Sequence, residues 1–363
     1  MKKRTSCFLS VVLGLSLILS FATGCTLHKH VFDKIVFAPE YLVSTFNCKE
    51  EANYYYSCEC GEKGEQIFKH SDVNEHEFVE NKYCVCGLLN SEYYTEGLSF
   101  ALINNQTEYS VSGYNGDEEE IIIPKTYNNK PVTRVADKAF YELAQIKNVI
   151  MGNNVTTIEG DAFMGCLLLE KVEISTSLQS IGYQAFKGCE KLEKIEIPCG
   201  VNNIGEGAFF GCSSITSIKI PSSLDKLNDW TFSNCSSLAN LEIENGIESI
   251  GFETFAYCSS LNSVIIPNSV TTIGTSAFAR CSSMNRLVIG NGVTSIGIYA
   301  FSSCTSLTSV IIPVGVAIIG AKAFNNTETL QTIYCQTSEK PSGWSVDWNK
   351  TSAEVVWGYN SEN

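Results

Sequence analysis

The sequence predicts a mainly β solenoid of about nine stacked 23-residue coils with short turns or helical segments, preceded by a small Cys/His-rich module. The first observation is a phenylalanine that recurs every 23 residues without a slip: Phe140, Phe163, Phe186, Phe209, Phe232, Phe255, Phe278, Phe301 and Phe324. The second is a cysteine three residues after seven of them: Cys166, Cys189, Cys212, Cys235, Cys258, Cys281 and Cys304. Such a strict period is typical of proteins that present a long surface rather than an enzyme cleft.

Each coil carries the apolar pattern of a short strand followed by turns. Residues 264–266 have the spacing of a β-strand, and Pro267 ends it. An aliphatic residue stands five positions before each phenylalanine and is usually followed by glycine, as in Ile273 and Gly274. Because one coil cannot bury its own apolar edge, we expect neighbouring coils to bury it by stacking.

These residues carry a family resemblance. The unit Ile-Gly-x-x-Ala-Phe-x-x-Cys-x-x-Leu-x-x-Val-x-Ile-Pro-x-x-Val, of which residues 273–293 are a close copy with Gly290 in place of proline, resembles the BspA-like (Treponema-type) leucine-rich repeat. The match extends over nine units. The resemblance implies a leucine-rich-repeat horseshoe or rod on a cell surface, without a catalytic centre, and some relatives bind host matrix proteins or other bacteria.

The repeated cysteines have two interpretations. Small buried thiols in a tight corner are favoured, because side chains in a stacked column point in parallel directions and seven is an odd number. Disulfides between coils are the alternative, because strands about 4.8 Å apart bring Cα atoms within disulfide range.

Residues 1–24 have the pattern of a secretory signal peptide. Three basic residues precede an apolar run at 7–21, which is too short to span a membrane. The following Gly-Cys pair resembles a bacterial lipobox, although Ala22 stands where leucine is usual, and this resemblance implies lipidation of Cys25. We expect a lipoprotein exported to the outer face of the bacterial membrane and anchored at Cys25, with simple secretion or a retained anchor as alternatives.

Residues 25–90 are predicted to be a Cys/His-rich module. The fragments 56–61 and 82–87 both end in Cys-x-Cys-Gly, and glycine permits the tight turn of a metal knuckle. The predicted ligands of a structural zinc ion are Cys58, Cys60, Cys84 and Cys86, with His70 or His76 substituting. Disulfides, which suit a small exported module, and free thiols are the alternatives. The module resembles the His-rich Cys-x-x-Cys-Gly modules of gut Firmicutes surface proteins, with a spacing one residue shorter.

Capping segments are predicted at both ends of the solenoid. Residues 91–120 form the first cap, in which a hairpin around 104–105 covers the edge of the coils at 121–334. The second cap, 335–363, contains three of the four tryptophans: Trp344, Trp348 and Trp357. We expect these indoles to seal the last coil; an aromatic platform for glycans is the alternative.

Charge and composition exclude several function classes. The formal net charge of −14 argues against nucleic acid or an anionic membrane as the partner. Residues 77–363 contain no histidine, which removes Ser-His and Cys-His nucleophile pairs from the repeats. Glu173, Glu196 and Glu242 recur in one outward column, a pattern more typical of a solvated face than of paired catalytic carboxylates. We expect no enzyme, and no cofactor other than zinc in the module.

The column ten residues after each phenylalanine changes from charged to apolar along the chain. Its last four members are Ile265, Val288, Ile311 and Tyr334. On parallel strands these side chains would form a continuous exposed stripe, and contiguous apolar patches mark binding sites. The alternative interpretation is that β-branched residues occur here only because they are favoured in strands, without a binding role.

The sequence therefore predicts a cell-surface protein-binding module, an adhesin or interaction scaffold. The expected partner is a host matrix protein or another bacterial surface protein. Two alternatives are a structural envelope or spacer lipoprotein without a specific ligand, and a metal-handling lipoprotein built on the Cys/His-rich module.

Overall fold

The computed structural model describes residues 93–360, together with the backbone of four strands in the N-terminal segment. The chain divides into two units, Met1–Asn90 and Ser91–Asn363. In the first unit the strands form two antiparallel pairs, β1 (Ala52–Ser57) with β2 (Lys63–His70) and β3 (Phe78–Val79) with β4 (Tyr83–Cys84).

The second unit is a stack of coils whose strands lie in two parallel rows. An antiparallel hairpin, β5 (Leu98–Ile103) and β6 (Glu108–Tyr114), precedes them. The first row contains β7 (Glu120–Ile123), β10 (Asn148–Met151), β12 (Lys171–Glu173), β15 (Ser217–Ile220), β17 (Asn240–Ile243), β19 (Ser263–Ile265), β21 (Arg286–Val288), β23 (Ser309–Ile312), β25 (Thr332–Cys335) and β26 (Glu354–Trp357).

The second row lies on another side of the same coils. It contains β9 (Lys130–Val135), β11 (Thr157–Ile158), β13 (Ser180–Ile181), β14 (Asn203–Ile204), β16 (Lys226–Leu227), β18 (Ser249–Ile250), β20 (Thr272–Ile273), β22 (Ser295–Ile296) and β24 (Ile318–Ile319), and the short strand β8 (Thr126–Tyr127) pairs antiparallel with β9. Partner residues in both rows are 23 positions apart over most of the stack, so the strand register repeats the sequence period.

The predicted solenoid is confirmed, with about eleven turns rather than the nine that the phenylalanine column counts. The additional turns contain β7 and β26, which pair in register with the coils although they lack the phenylalanine. Strand pairing needs backbone hydrogen bonds and inward apolar side chains, and both end strands supply these without the rest of the motif. The described residues contain no helix, and therefore no helix long and apolar enough to cross a membrane.

Turns, not helical segments, surround each phenylalanine. In nine coils the residue two positions before and the residue two positions after it have φ between 49° and 76°. Non-glycine residues such as Trp230 and Tyr299 occupy many of these left-handed positions. A residue in the left-handed conformation interrupts a right-handed helix. The segment around each phenylalanine therefore forms two successive turns and not a helix.

The core is a ladder of phenylalanine rings along the stack. All nine are fully buried, and successive rings are stacked with centroids 4.9–5.5 Å apart. The backbone N–H groups of the first eight donate to carbonyls of the following coil, as from Phe232 to Thr254 at 2.9 Å. Each coil is therefore held to its neighbours through side chain and backbone at the same position.

The cysteine column runs beside this ladder as free, buried thiols, in agreement with the favoured prediction. Each of the seven thiols donates to the phenylalanine carbonyl of the preceding coil, as from Cys235 Sγ to Phe209 O at 3.3 Å. Burial raises the pKa of Cys258 and of Cys304 to about 12. Because the thiolate is the reactive form, these side chains are structural and chemically inert at neutral pH.

Both open ends of the stack are covered. At the N-terminal end β6 pairs in parallel with β9, placing Val111 opposite Val135, so the hairpin extends the second row. At the C-terminal end the ring of Trp348 packs edge-on against Phe324 at 6.1 Å, and Trp344 Nε1 donates to the carbonyl of Val316 at 3.0 Å. Both indoles are buried, so they close the core and do not present an open aromatic platform.

Candidate binding surface

The four predicted surface residues lie on neighbouring strands of the first row. Ile265 is 54 % exposed, Val288 38 % and Ile311 39 %, while Tyr334 is half-buried. Cα registers place Ile265 beside Val288 and Ile311 beside Tyr334. Since successive side chains of a strand point to opposite faces, the buried residues that precede them fill the core while these four face outward.

The stripe continues into the C-terminal cap. Val356 on β26 is in register with Tyr334, and the ring of Tyr359 lies 4.5 Å from the Tyr334 ring. The 23-residue period does not predict this extension, because the cap departs from the period. The paired valines at 355–356 were the available signal, since they have strand character. We call the five residues Ile265, Val288, Ile311, Tyr334 and Val356 the apolar stripe.

Polar residues border the apolar stripe on one side of the same face. Two positions earlier in each strand stand Ser263, Arg286, Ser309 and Thr332, which are exposed or half-buried, and half-buried Gln336 lies on the other side, two positions after Tyr334. An apolar centre with a polar border is the usual anatomy of a protein–protein interface. The stripe is one side chain wide and five strands long, which suits an elongated partner segment.

Towards the N-terminal end the same column is charged. Glu173, Glu196 and Glu242 pair with lysines at 2.7–2.8 Å, and all of these side chains are exposed. The Lys194 ammonium lowers the pKa of Glu196, and hydrogen bonds from Lys219 to two carboxylates raise the pKa of that lysine. Exposed pairs of this kind contribute little stability, and the carboxylates are engaged with lysine rather than arranged around a cleft.

The other predicted site residues lie largely outside the described part of the chain. This applies to Cys25, Cys58, Cys60, Cys86 and His76, so their lipidation and zinc binding stay predictions. His70 and Cys84 are placed only as backbone positions of β2 and β4. Among the residues whose side chains are described, no group of three or more His, Cys, Asp or Glu could hold a metal ion.

The parallel rows, inward Leu, Ile and Phe columns and capped ends define a leucine-rich-repeat solenoid. A family model described as "BspA type Leucine rich repeat region" matches residues 114–239 and 231–341 in six copies, which is more than half of the chain. The protein belongs to this family. No curated protein matches the sequence significantly.

Several solved structures resemble the chain. A leucine-rich cell-surface protein from Faecalibacterium prausnitzii A2-165 is 20 % identical, with a TM-score of 0.42 over 74 % of this chain and 95 % of that one. The leucine-rich-repeat protein of T. pallidum is 26 % identical, with a TM-score of 0.39 over 46 % and 88 %. The pneumococcal vaccine antigen PcpA is 18 % identical, with a TM-score of 0.35 over 73 % and 98 %.

Membership of this family indicates the general role of the repeat region. A leucine-rich-repeat solenoid is typically a non-catalytic scaffold, because stacked coils offer a long continuous surface and few enclosed cavities. The repeat region of this protein is accordingly an interaction module. Which partner it takes depends on the side chains that the coils display.

Proposed function

We propose that the protein is a cell-surface adhesin or interaction scaffold that binds a protein partner through the apolar stripe. The observation that carries this proposal is the register of Ile265 with Val288 and of Ile311 with Tyr334 and Val356, on two groups of strands that meet where β21 contacts β23. Three of these five side chains are at least 38 % exposed. Exposed apolar surface that is continuous across several strands costs solubility unless a partner covers it.

The charge and layout of the protein favour another protein as the partner. The net charge of −14 disfavours nucleic acid and anionic lipid, whereas the polar border of the stripe can satisfy hydrogen bonds of a polypeptide. The partner class is a host matrix protein or a surface protein of another bacterium. Export by the predicted signal peptide and lipidation at Cys25 would display the repeats outside the cell. We propose a binding role without enzymatic activity.

The double variant Ile265→Glu/Ile311→Glu tests the proposal. We expect at least a tenfold loss of affinity for the captured partner, equivalent to about 1.4 kcal/mol, because two carboxylates would have to be buried in the interface. Binding is measured on immobilised extracellular-matrix proteins and on surface extracts of neighbouring bacteria, with the full exported chain.

The matched control is Ile298→Glu/Ile318→Glu, which makes the same chemical change at isoleucines that are 44 % and 52 % exposed outside the first row. This control should bind as the parent does and unfold at the same urea concentration. Equal binding by the stripe variant, with an unchanged circular dichroism spectrum, would refute the stripe. Absence of any protein partner would favour a spacer without a ligand.

A further inference from the structure

A trough opens on the turn side of the C-terminal coils, away from the apolar stripe. Its floor is the residue that follows each core phenylalanine. In the N-terminal coils this position holds the large residues Tyr141, Met164, Lys187 and Phe210, and in the next coils it holds the small residues Ser233, Ala256, Ala279 and Ser302. The change from large to small side chains leaves a cavity of about 240 Å³ above the floor.

The two left-handed columns form the walls of this trough. One wall presents Glu253, Ser276 and Tyr299, and the facing wall presents Tyr257, Arg280 and Ser303. Both tyrosines are well exposed, at 43 % for Tyr257 and 36 % for Tyr299. Asn325 and Asn326 close the lining at the C-terminal end. The walls therefore combine aromatic rings with hydroxyl and amide groups.

The trough contains one cation, Arg280, and one carboxylate, Glu253, and neither forms an ion pair with a described residue. The Arg280 guanidinium lies over the Tyr257 ring at 5.2 Å, and no described carboxylate is within ion-pair distance of it. The carboxylate of Glu253 already accepts a hydrogen bond from Trp230 Nε1 at 3.2 Å. Arg280 can thus bind an incoming carboxylate with two parallel hydrogen bonds.

The wall backbone is not available to a ligand. The N–H groups of Tyr257, Arg280 and Ser303 donate to carbonyls of the following coil at 2.7–2.8 Å. A phosphate cradle or an added peptide strand uses free backbone N–H groups, so these occupants are disfavoured. Recognition must come from side chains, which here offer a guanidinium, two phenol rings, hydroxyls and amides.

We propose that the trough binds a carboxylate-bearing sugar, a uronic or sialic acid residue of a glycan. Arg280 binds the carboxylate, Tyr257 and Tyr299 flank the ring, and Ser276, Ser303 and Asn325 exchange hydrogen bonds with its hydroxyls. The cavity is smaller than the roughly 300–1,000 Å³ of pockets for drug-sized ligands, which fits a single sugar ring. This site is separate from the apolar stripe and does not depend on the proposed protein partner.

Titration calorimetry of the full exported chain tests the site. The probes are methyl β-glucuronide, N-acetylneuraminic acid, the neutral methyl β-glucoside and acetate. We expect at least one of the two acids to bind at least tenfold more tightly than both the glucoside and acetate, and their relative affinities identify the class of sugar. If acetate binds as tightly as the sugar acids, or if neither acid binds, the proposal is overturned.

Variants locate the binding. Arg280→Gln should weaken the acidic sugar at least tenfold and leave the weak binding of the glucoside unchanged, and Tyr257→Ala should weaken both. Lys226→Gln is the control, because this exposed cation lies on β16 of the second row, outside both the trough and the apolar stripe. Equal affinity of the Arg280 variant and the parent, with matching urea transitions, would contradict the assignment.

Discussion

Replacing Phe232 with alanine is expected to lower the free energy of unfolding by about 3–5 kcal/mol. The ring is fully buried in the middle of the ladder, 5.2 Å from the Phe209 centroid and 5.5 Å from the Phe255 centroid. Removing it leaves a cavity that neither neighbour can fill, because each of their rings is held on its other side by a further phenylalanine. Urea-induced unfolding followed by circular dichroism measures the effect.

The control for this variant is Phe252→Ala, twenty residues along the chain. Phe252 is half-buried and packs edge-on against Trp230 at 5.1 Å, outside the ladder. We expect a loss of about 1 kcal/mol or less from this change. Similar losses from the two variants would mean that the ring ladder does not hold the coils together.

A single methyl group added at Gly274 is expected to lower the free energy of unfolding by about 1–3 kcal/mol. A Cβ carbon added there would lie 2.6 Å from the carbonyl carbon and oxygen of Gly251 in the preceding coil. The obstructing atoms are backbone, so only separation of two coils could relieve the contact. The glycine after the aliphatic residue therefore sets how closely coils approach, and Gly274→Ala should lower the urea midpoint strongly.

Gly113→Ala provides the comparison at a position without such contact. Gly113 lies in the cap hairpin, and an added Cβ carbon meets no atom within 4 Å. Its substitution should change the free energy of unfolding by less than about 0.5 kcal/mol. A mild effect of Gly274→Ala would show that the coils have room to separate, contrary to the packing described above.

Much of the fold could be predicted because the period repeats each core position many times. Phe232, Cys235 and Gly274 belong to columns in which the same residue type recurs at one spacing, and such columns identify contacts between coils. The first strand at Ile121 could be assigned to the solenoid from its apolar run, whereas the last turn was missed because Val355 lies in a strand outside the phenylalanine period. The left-handed positions were missed because they accept side chains as different as those of Lys138, Trp230 and Ser303.

The apolar stripe could be predicted in part from the strand pattern. Outward residues of a strand follow from simple alternation, so Ile265 and Ile311 could be assigned to one face from the sequence. Alternation within one strand does not predict the trough, because its walls bring together Tyr257 and Tyr299, which belong to different columns and different coils. The available signal was the change from Phe210 to small residues such as Ala256 in the floor column.

We infer that the coils are interchangeable as structural units and propose that the C-terminal coils carry the partner surface. Two deletions of two whole coils each test it, residues 183–228 from the charged part and residues 252–297, which contain Ile265 and Val288. Both leave the period in phase, so both chains should unfold cooperatively in urea. The partner-binding assay is the deciding measurement: we predict that the first deletion binds as the parent does and that the second loses at least tenfold in affinity. Equal binding by the two deletions would mean that the C-terminal coils do not carry the partner surface, and loss of the fold in both would mean that the coils are not interchangeable.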